Sequence, residues 1–479
     1  MQTSEKKKVL FAASEVYPFA KSGGLADVAA SLPKALAKEF EISVILPFYS
    51  SIDVEKYYIV PLDLSYTINM NQKNYEAILY GCSYEGMTYY FVKSPCISEK
   101  EYFYGPPDQG YEDNAQRFTL FCRVIVELLK EDQAYSILHL NDWQTALAAL
   151  LVKEDENLQL KTVYTIHNLA YQGIFNHSTL HEIGLSEHYF NMDALEFYGN
   201  ISLMKAGIAY ADSITTVSSE YAKEIQTETF GCGLNGFLRY HQHKLQGILN
   251  GIDTKVFVPE TDPHIFQQYS SETLKKKREN KKSYLKSSGL KGIHKPLFIF
   301  IGRFTWQKGI DLLIKILDET ADLDINIAIL GEGETAYHQK LEKIASLHKH
   351  IHLFFGYKEE LSHQMYAAGD FLLMPSMFEP CGLNQMIAMR YGTVPIVHRV
   401  GGLKESVHPL EVFDPKSKKG FGICFDEPEP EALLQAIKVS VSLFKTSQYK
   451  KVRKHNMKCD FSWSSSAKKY AKLYHDLGQ

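Results

Sequence analysis

Three short stretches of the chain bring together residue types suited to holding a phosphate. Lys21-Ser22-Gly23-Gly24-Leu25 supplies two glycines, whose bare backbone lets N–H groups approach an anion, and Lys21 adds a compact positive charge. Asp27 follows within the next turn. A plain glycine turn ahead of a helix explains the same letters. Arg303-Phe304-Thr305-Trp306-Gln307-Lys308-Gly309 offers a guanidinium fork and a lysine point charge close together, the pairing a diphosphate needs. Two solvated surface cations are its bland alternative. In Glu379-Pro380-Cys381-Gly382-Leu383, the proline biases Glu379 towards extended backbone. That leaves its carboxylate free to accept from sugar hydroxyls, with the Gly382 and Leu383 N–H groups turned to a phosphate. The alternative is a helix-start glutamate balancing a dipole. Cys381 has no paired base within the motif and reads as a small lining residue.

Two further stretches carry polar groups at the ends of apolar runs. His167 and Asn168 close Thr-Val-Tyr-Thr-Ile-His-Asn, and Asp142 with Trp143 follow Ile-Leu-His-Leu-Asn. Asp142 can bind a hydroxyl while the Trp143 ring stacks on a sugar, although on its own the pair reads rather as a buried, hydrogen-bonded packing unit. His167 can likewise be a satisfied core histidine.

The elements that must position these residues follow one rhythm: a short apolar run, a turn, then an amphipathic helix. Apolar runs at 9–14, 42–47, 137–142, 162–168 and 213–218 read as buried strands of a first half, with a helix over 26–40. Runs at 297–302, 325–331, 351–356, 371–376 and 394–399 repeat the plan, with helices over 309–321 and 336–348. The fold class is α/β, with two doubly wound Rossmann-like domains facing across a cleft, where strand ends bind ligand. The expected domains are 1–253, 254–455, and a C-terminal helix in 456–479 that packs back on the first domain. The lysine-rich stretch 274–291 reads as a solvated helix face.

Composition narrows the function. The 479 residues are 45% hydrophobic and 23% charged, as in ordinary globular domains, and the formal net charge is −4. A nucleic-acid or anionic-membrane footprint would need a basic surplus. No apolar run spans a bilayer, so no membrane partner is expected. The basic, then apolar, start superficially mimics a signal peptide, but Glu15 and the glycine loop interrupt it, and a first buried strand explains it better. Seven scattered cysteines without a Cys-x-x-Cys speak for a reducing compartment, by default the cytoplasm. The first strand lacks a Gly-x-Gly-x-x-Gly turn, which disfavours a nicotinamide dehydrogenase.

Taken together, FAASEVYPFAKSGGLADV, HLNDWQTAL, TIHNLAYQGIF, FYGNISLMKAGIAYAD, ILNGIDT, GRFTWQKGIDLL, FGYKEELSHQMYAAGDF, PSMFEPCGLNQMIAMRYGTVPIV and GGLKESV resemble the bacterial glycogen synthase and plant starch synthase family, in its order and spacing. The resemblance implies the two-domain GT-B architecture. It also implies a retaining transfer of glucose from ADP-glucose to the non-reducing-end 4-hydroxyl of an α-1,4-glucan such as glycogen. Within that family pattern Lys21, Gly23 and Gly24 hold the diphosphate from the first domain, and Arg303 and Lys308 from the second. Glu379, Cys381, Gly382 and Leu383 line the donor glucose and its phosphate, Asn250 is a further donor contact, and Tyr357 packs on the base. His167 and Asn168 contact the transferred sugar, while Asp27, Asp142 and Trp143 are acceptor-side or sugar contacts. Lys21, His167, Arg303, Lys308 and Glu379 form the expected catalytic set.

Cations and helix ends around a departing diphosphate stabilise its charge without a metal, so no cofactor is expected. No carboxylate for a far-face nucleophile is identifiable, which favours front-face transfer with the leaving phosphate helping to deprotonate the acceptor. The chain departs from the family pattern at Ser22, Asn141, Met377 and Asn384, where threonine, histidine, arginine and threonine are frequent. Asn141 leaves the neighbouring acceptor contact open. UDP-glucose as donor, a small-acceptor transferase and a silent glucan-binding relative are the competing readings. An oligomer is compatible with all of them.

Overall fold

Residues 6–106, 109–356 and 358–478 of the computed structural model are described below. Apolar residues follow Lys8 throughout the first strand, β1 (Lys8–Ala12), and Val9 to Ala12 are fully buried. A strand buried on both faces needs layers on either side, which is the condition for parallel pairing. β1 lies between β2 (Glu41–Pro47) and β6 (Tyr135–Asn141), parallel to both. The other strands before β7 (Lys161–Ile166) are β3 (Val60–Met70), β4 (Lys73–Tyr84) and β5 (Met87–Lys93). A small antiparallel sheet of β8 (Ile174–Asn176), β9 (Glu196–Phe197) and β10 (Asn200–Ser202) precedes β11 (Ser213–Thr216) and β12 (Leu245–Gly247). The nine-stranded order is β12-β11-β7-β6-β1-β2-β5-β4-β3.

Seven of those strands are parallel; β4 runs antiparallel to both β5 and β3. Residues 60–93 thus extend the doubly wound sheet with a hairpin that a search for continuous apolar runs passes over. The reason is visible in β3 and β4, whose residues alternate between exposed and buried.

The second sheet contains β13 (Leu297–Ile301), β14 (Asn326–Gly331), β15 (Ile351–Phe355), β16 (Phe371–Met374), β17 (Val394–His398), β18 (Val407–Pro409) and β19 (Gly420–Phe425), all parallel. Its order is β15-β14-β13-β16-β17-β19-β18. The α/β class with two parallel-sheet cores is therefore borne out.

The chain divides into two compact units. The first runs to Val217, resumes over Ala222–Ile248 and ends with the stretch from Trp463; the second comprises Ser218–Tyr221 and Leu249–Ser462. After the short excursion of Ser218–Tyr221, the chain passes into the second unit between Ile248 and Leu249. The chain rejoins the first unit at Trp463, and the helix Ser447–Asn456 lies in the second. The last helix, Trp463–Leu477, buries Trp463, Tyr470 and Tyr474 in the first unit's core. There the Tyr474 hydroxyl meets His139 Nδ1 at 2.5 Å, and His139 Nε2 meets Thr165 Oγ1 at 2.7 Å.

The lysine-rich helix Lys277–Ser288 is not simply a solvated face: Lys277, Asn280 and Lys281 are buried. Lys277 Nζ donates to the Tyr366 and Ala367 carbonyls at 2.7 and 2.9 Å, satisfying the end of the helix Glu359–Ala368. Lys281 pairs with Asp370 at 2.6 Å. Long aliphatic stems let both lysines bury while their ammonium groups find acceptors. Among the described residues no helix is long and apolar enough to cross a membrane.

Candidate active site

In the first unit β1, β6 and β7 are parallel neighbours, so the loops after them leave the same edge of the sheet. The loop after β1 leads into the helix Gly24–Leu36. A side-chain carbon added at Gly23 or Gly24 would meet nothing within 4 Å, so packing does not demand glycine at either position. Lys21 Nζ lies 2.7 Å from Asp27 Oδ1. Behind the loop, the buried Glu15 carboxylate accepts from the Ser22 amide, from Ser22 Oγ at 2.6 Å, from the Gly23 amide at 3.1 Å and from the Tyr104 hydroxyl at 2.6 Å. One of the glycine amides expected to face an anion, that of Gly23, is thus already held by this carboxylate.

After β6, Asp142 adopts φ 56°, a left-handed conformation that costs a non-glycine residue energy and tends to mark functional sites. Its carboxylate accepts from the His167 amide at 2.8 Å and from the Asn168 amide. Surrounding protein nevertheless pushes its pKa up to about 7, burial outweighing the two amides. His167 Nε2 lies 2.9 Å from Asn141 Oδ1, and burial lowers the His167 pKa to about 3. Trp143 does not present a sugar platform. Its ring is buried edge-on against Phe118 and Phe175, with centroids 5.0 and 5.8 Å away, and Gly173 lies against it. The packing alternative holds for that residue.

In the second unit β13 and β16 are neighbours, with β17 beside β16. After β13 comes the exposed Arg303, whose Nη2 lies 3.4 Å from Gln307 Oε1. A single 3-10 turn, Trp306–Lys308, then precedes the helix Ile310–Ile316. Gly309 joins them at φ 66°, and a side-chain carbon there would stand 2.0 Å from the Pro375 carbonyl oxygen. Only glycine lets the two loops come this close. The closeness sets Lys308 Nζ 2.9 and 2.6 Å from the two oxygens of the buried Glu379, which also accepts from Ser376 Oγ at 3.0 Å. Glu379 is no helix-start residue, because the helix begins at Asn384.

Cys381 is buried beside the Asn250 amide, and burial pushes its thiol up to about 12, unfit for a nucleophile. Asn250 is also buried, and its Oδ1 has no partner among the described residues. Gly382 turns at φ 70°, and Leu383 caps the following helix. Asn384 Nδ2 donates to the Ile301 carbonyl at 2.7 Å, tying that helix to the end of β13. The Gly402 amide donates to the Glu379 carbonyl at 3.0 Å, and a side-chain carbon on Gly402 would stand 2.1 Å from the Cys381 carbonyl oxygen. Tyr357 lies outside the described residues. No group of three or more His, Cys, Asp or Glu side chains among the described residues could hold a metal ion.

Sequence reasoning missed Glu15 and the orienting contact of Asn141. Glu15 sits in an otherwise apolar run with its partners 7, 8 and 89 positions away, although an acid in such a run was itself a signal.

Two family models match the chain: the starch synthase catalytic domain over residues 8–240 and glycosyl transferases group 1 over residues 281–449. Among curated proteins it is 41% identical to the glycogen synthase of Aquifex aeolicus, covering 98% of this chain and 99% of that protein. It is 39% identical to the glycogen synthase of Desulforamulus reducens, with 98% of each covered. The chain belongs to the glycogen synthase and starch synthase family. Among solved structures it matches the catalytic domain of starch synthase IV from Arabidopsis thaliana, bound to ADP and acarbose. That match has TM-score 0.91 and 33% identity, covering 99% and 100% of the two chains. The sucrose-phosphate synthase of Thermosynechococcus elongatus, at TM-score 0.63 and 16% identity over 98% and 99% of the chains, shares the GT-B fold alone. The protein is thus a glycosyltransferase of the glycogen and starch synthase type.

Proposed function

We propose that this glycosyltransferase takes glucose from ADP-glucose and adds it, with retention, to the non-reducing-end 4-hydroxyl of an α-1,4-glucan. The observation that carries the proposal is the Lys308–Glu379 pair beside Arg303, held at neighbouring strand ends by the Gly309–Pro375 approach. Breaking a sugar–phosphate bond moves negative charge onto the departing diphosphate, and preorganised cations lower that barrier without reorganising at the moment of reaction. Arg303 and Lys308 are proposed as diphosphate contacts in the second unit, and Lys21 with Gly24 as phosphate contacts in the first. Glu379, which Lys308 and Ser376 contact, is proposed to accept from sugar hydroxyls. Asn250, with its unpartnered oxygen, is a further donor contact. The adenine nucleotide is favoured because the Arabidopsis relative carries ADP.

Front-face departure is favoured, because neither sequence nor site singles out a carboxylate for a covalent intermediate. In this reading the leaving phosphate takes the acceptor proton and no metal is required. The setting proposed is the cytoplasm, where the seven free thiols stay reduced.

The test is a side-by-side assay of ADP-glucose and UDP-glucose on glycogen, with and without a chelator, reading nucleotide diphosphate release. Faster ADP release that survives the chelator, with product chains cut by an α-1,4-specific amylase, is the expected result. Preference for UDP-glucose overturns the donor assignment. Glycogen binding without diphosphate release from either donor overturns the catalytic one.

A further inference from the structure

Asn141 is held by two hydrogen bonds whose directions can be read from chemistry alone. The residue is buried at the end of β6. Its Nδ2 donates to the Ala12 carbonyl at 2.9 Å, and a carbonyl can only accept. That fixes the amide's orientation and leaves Oδ1 facing His167 Nε2 at 2.9 Å. An amide oxygen can only accept, so the proton of His167 must sit on Nε2. Nδ1 of the neutral ring then carries the lone pair. The backbone of the same histidine is fixed separately, by its amide to Asp142.

We propose that Asn141 is a positioning residue for His167: it selects the Nε2–H tautomer and so presents Nδ1 as an obligatory hydrogen-bond acceptor for a sugar hydroxyl. This rests on the reading of the β6 and β7 ends as a sugar site. Discrimination follows from chemistry, since a lone pair accepts from a hydroxyl and offers nothing to an ether or carbonyl oxygen. The titratable groups around the ring are Asp142, which faces its backbone, His139, whose charge would oppose its own, and Glu15, which is coupled to Asp142. None donates to Nδ1. Burial already keeps the ring uncharged, and an uncharged acceptor at Asn141 maintains that, whereas an aspartate would not.

Two measurements test this. The first is the 15N spectrum of the histidine rings in the whole protein: His167, identified by loss of its signals in His167→Gln, should show a protonated Nε2 and an unprotonated Nδ1. A protonated Nδ1 overturns the proposal whether or not glucosyl transfer is detected. The second uses Asn141→Leu and Asn141→Asp. Asn141→Leu should lower kcat by on the order of 100-fold with donor KM little changed, as expected when a reacting group is misoriented rather than a ligand lost. Asn141→Asp should retain kcat at high pH and lose it as pH falls through neutrality, because a carboxylate partner favours the imidazolium and removes the lone pair. A pH profile in Asn141→Asp identical to the parent, or kcat within twofold in a folded Asn141→Leu, overturns it. Should the leucine variant fail to fold, the aspartate profile and the ring spectrum still decide. Absence of transfer in the parent protein would sink the proposed function and leave the spectrum to judge the tautomer.

Discussion

The two lysine loops resemble each other in sequence and differ in how they are built. Lys21 reaches a carboxylate six residues on, in an open pair at 2.7 Å whose side chains are 27% and 38% exposed. Lys308 reaches one 71 residues away, at 2.6 Å, and the Glu379 side chain is only 6% exposed. Their glycines differ in the same sense. Gly23 and Gly24 face open space, whereas Gly309 combines φ 66° with an approach that leaves no room for a methyl group. Glycine in the first loop therefore keeps a surface bare, and glycine in the second lets two loops touch. One motif type serves access, the other serves preorganisation.

The largest test of this contrast is Lys308→Ala against Lys21→Ala. Removing Lys308 should cut kcat by about 10²–10³-fold, the effect of losing one preorganised charge partner. It also strands a buried carboxylate, at about 1–3 kcal/mol of stability. Lys21→Ala should change stability by under about 1 kcal/mol, since exposed pairs contribute little. Steady-state kinetics and denaturant titration check both. Near-normal kcat in Lys308→Ala would remove the preorganised-cation account.

A smaller effect separates the glycines. Gly309→Ala should cost roughly 2–5 kcal/mol, the sum of a left-handed backbone and an overpacked contact. Gly24→Ala should leave the melting temperature unchanged and raise the KM for the nucleotide sugar. An unchanged KM would mean that no ligand approaches that surface.

How much of this was legible beforehand depended on how local the signal was. The largely buried β1 and β13 announced themselves as continuous apolar runs, and both lysine loops were marked by their glycines. β3 and β4 were not found, because alternating exposure dilutes hydrophobic runs. Pairings between distant residues left no trace: Glu15 with Tyr104, Asn141 with Ala12, and Lys281 with Asp370 join positions 89, 129 and 89 apart. Trp143 was ambiguous because a ring that stacks on sugar and one that fills a core are the same residue. Only the neighbouring Phe118, Phe175 and Gly173 decide it.

The smallest expected effect concerns acid. His139 and His167, both in the first unit, have pKa values lowered to about 3 by burial. An unfolded chain takes up these protons as pH falls below about 6.5, while the folded one resists until near 3, so stability is full above 6.5 and declines below it. Asp142, raised to about 7, acts oppositely: its contribution is fully present below about 3.8 and is lost as pH rises through 7. Two histidines against one aspartate leave a net acid weakness, approaching about 1.4 kcal/mol per pH unit for the unbalanced proton. His139→Gln should flatten the melting temperature between pH 6.5 and 5. A slope as steep as the parent's would assign the weakness elsewhere.

The helix Trp463–Leu477 closes the core of a unit whose first strand begins at Lys8. During synthesis, therefore, β1 leaves the ribosome well before the helix that completes its core. Until Tyr470 and Tyr474 are made, His139 and the apolar wall around it have no cover. A chain stopped before that helix would expose that wall to chaperones and proteases, which makes Trp463–Leu477 a checkpoint on whether the first unit exists at all.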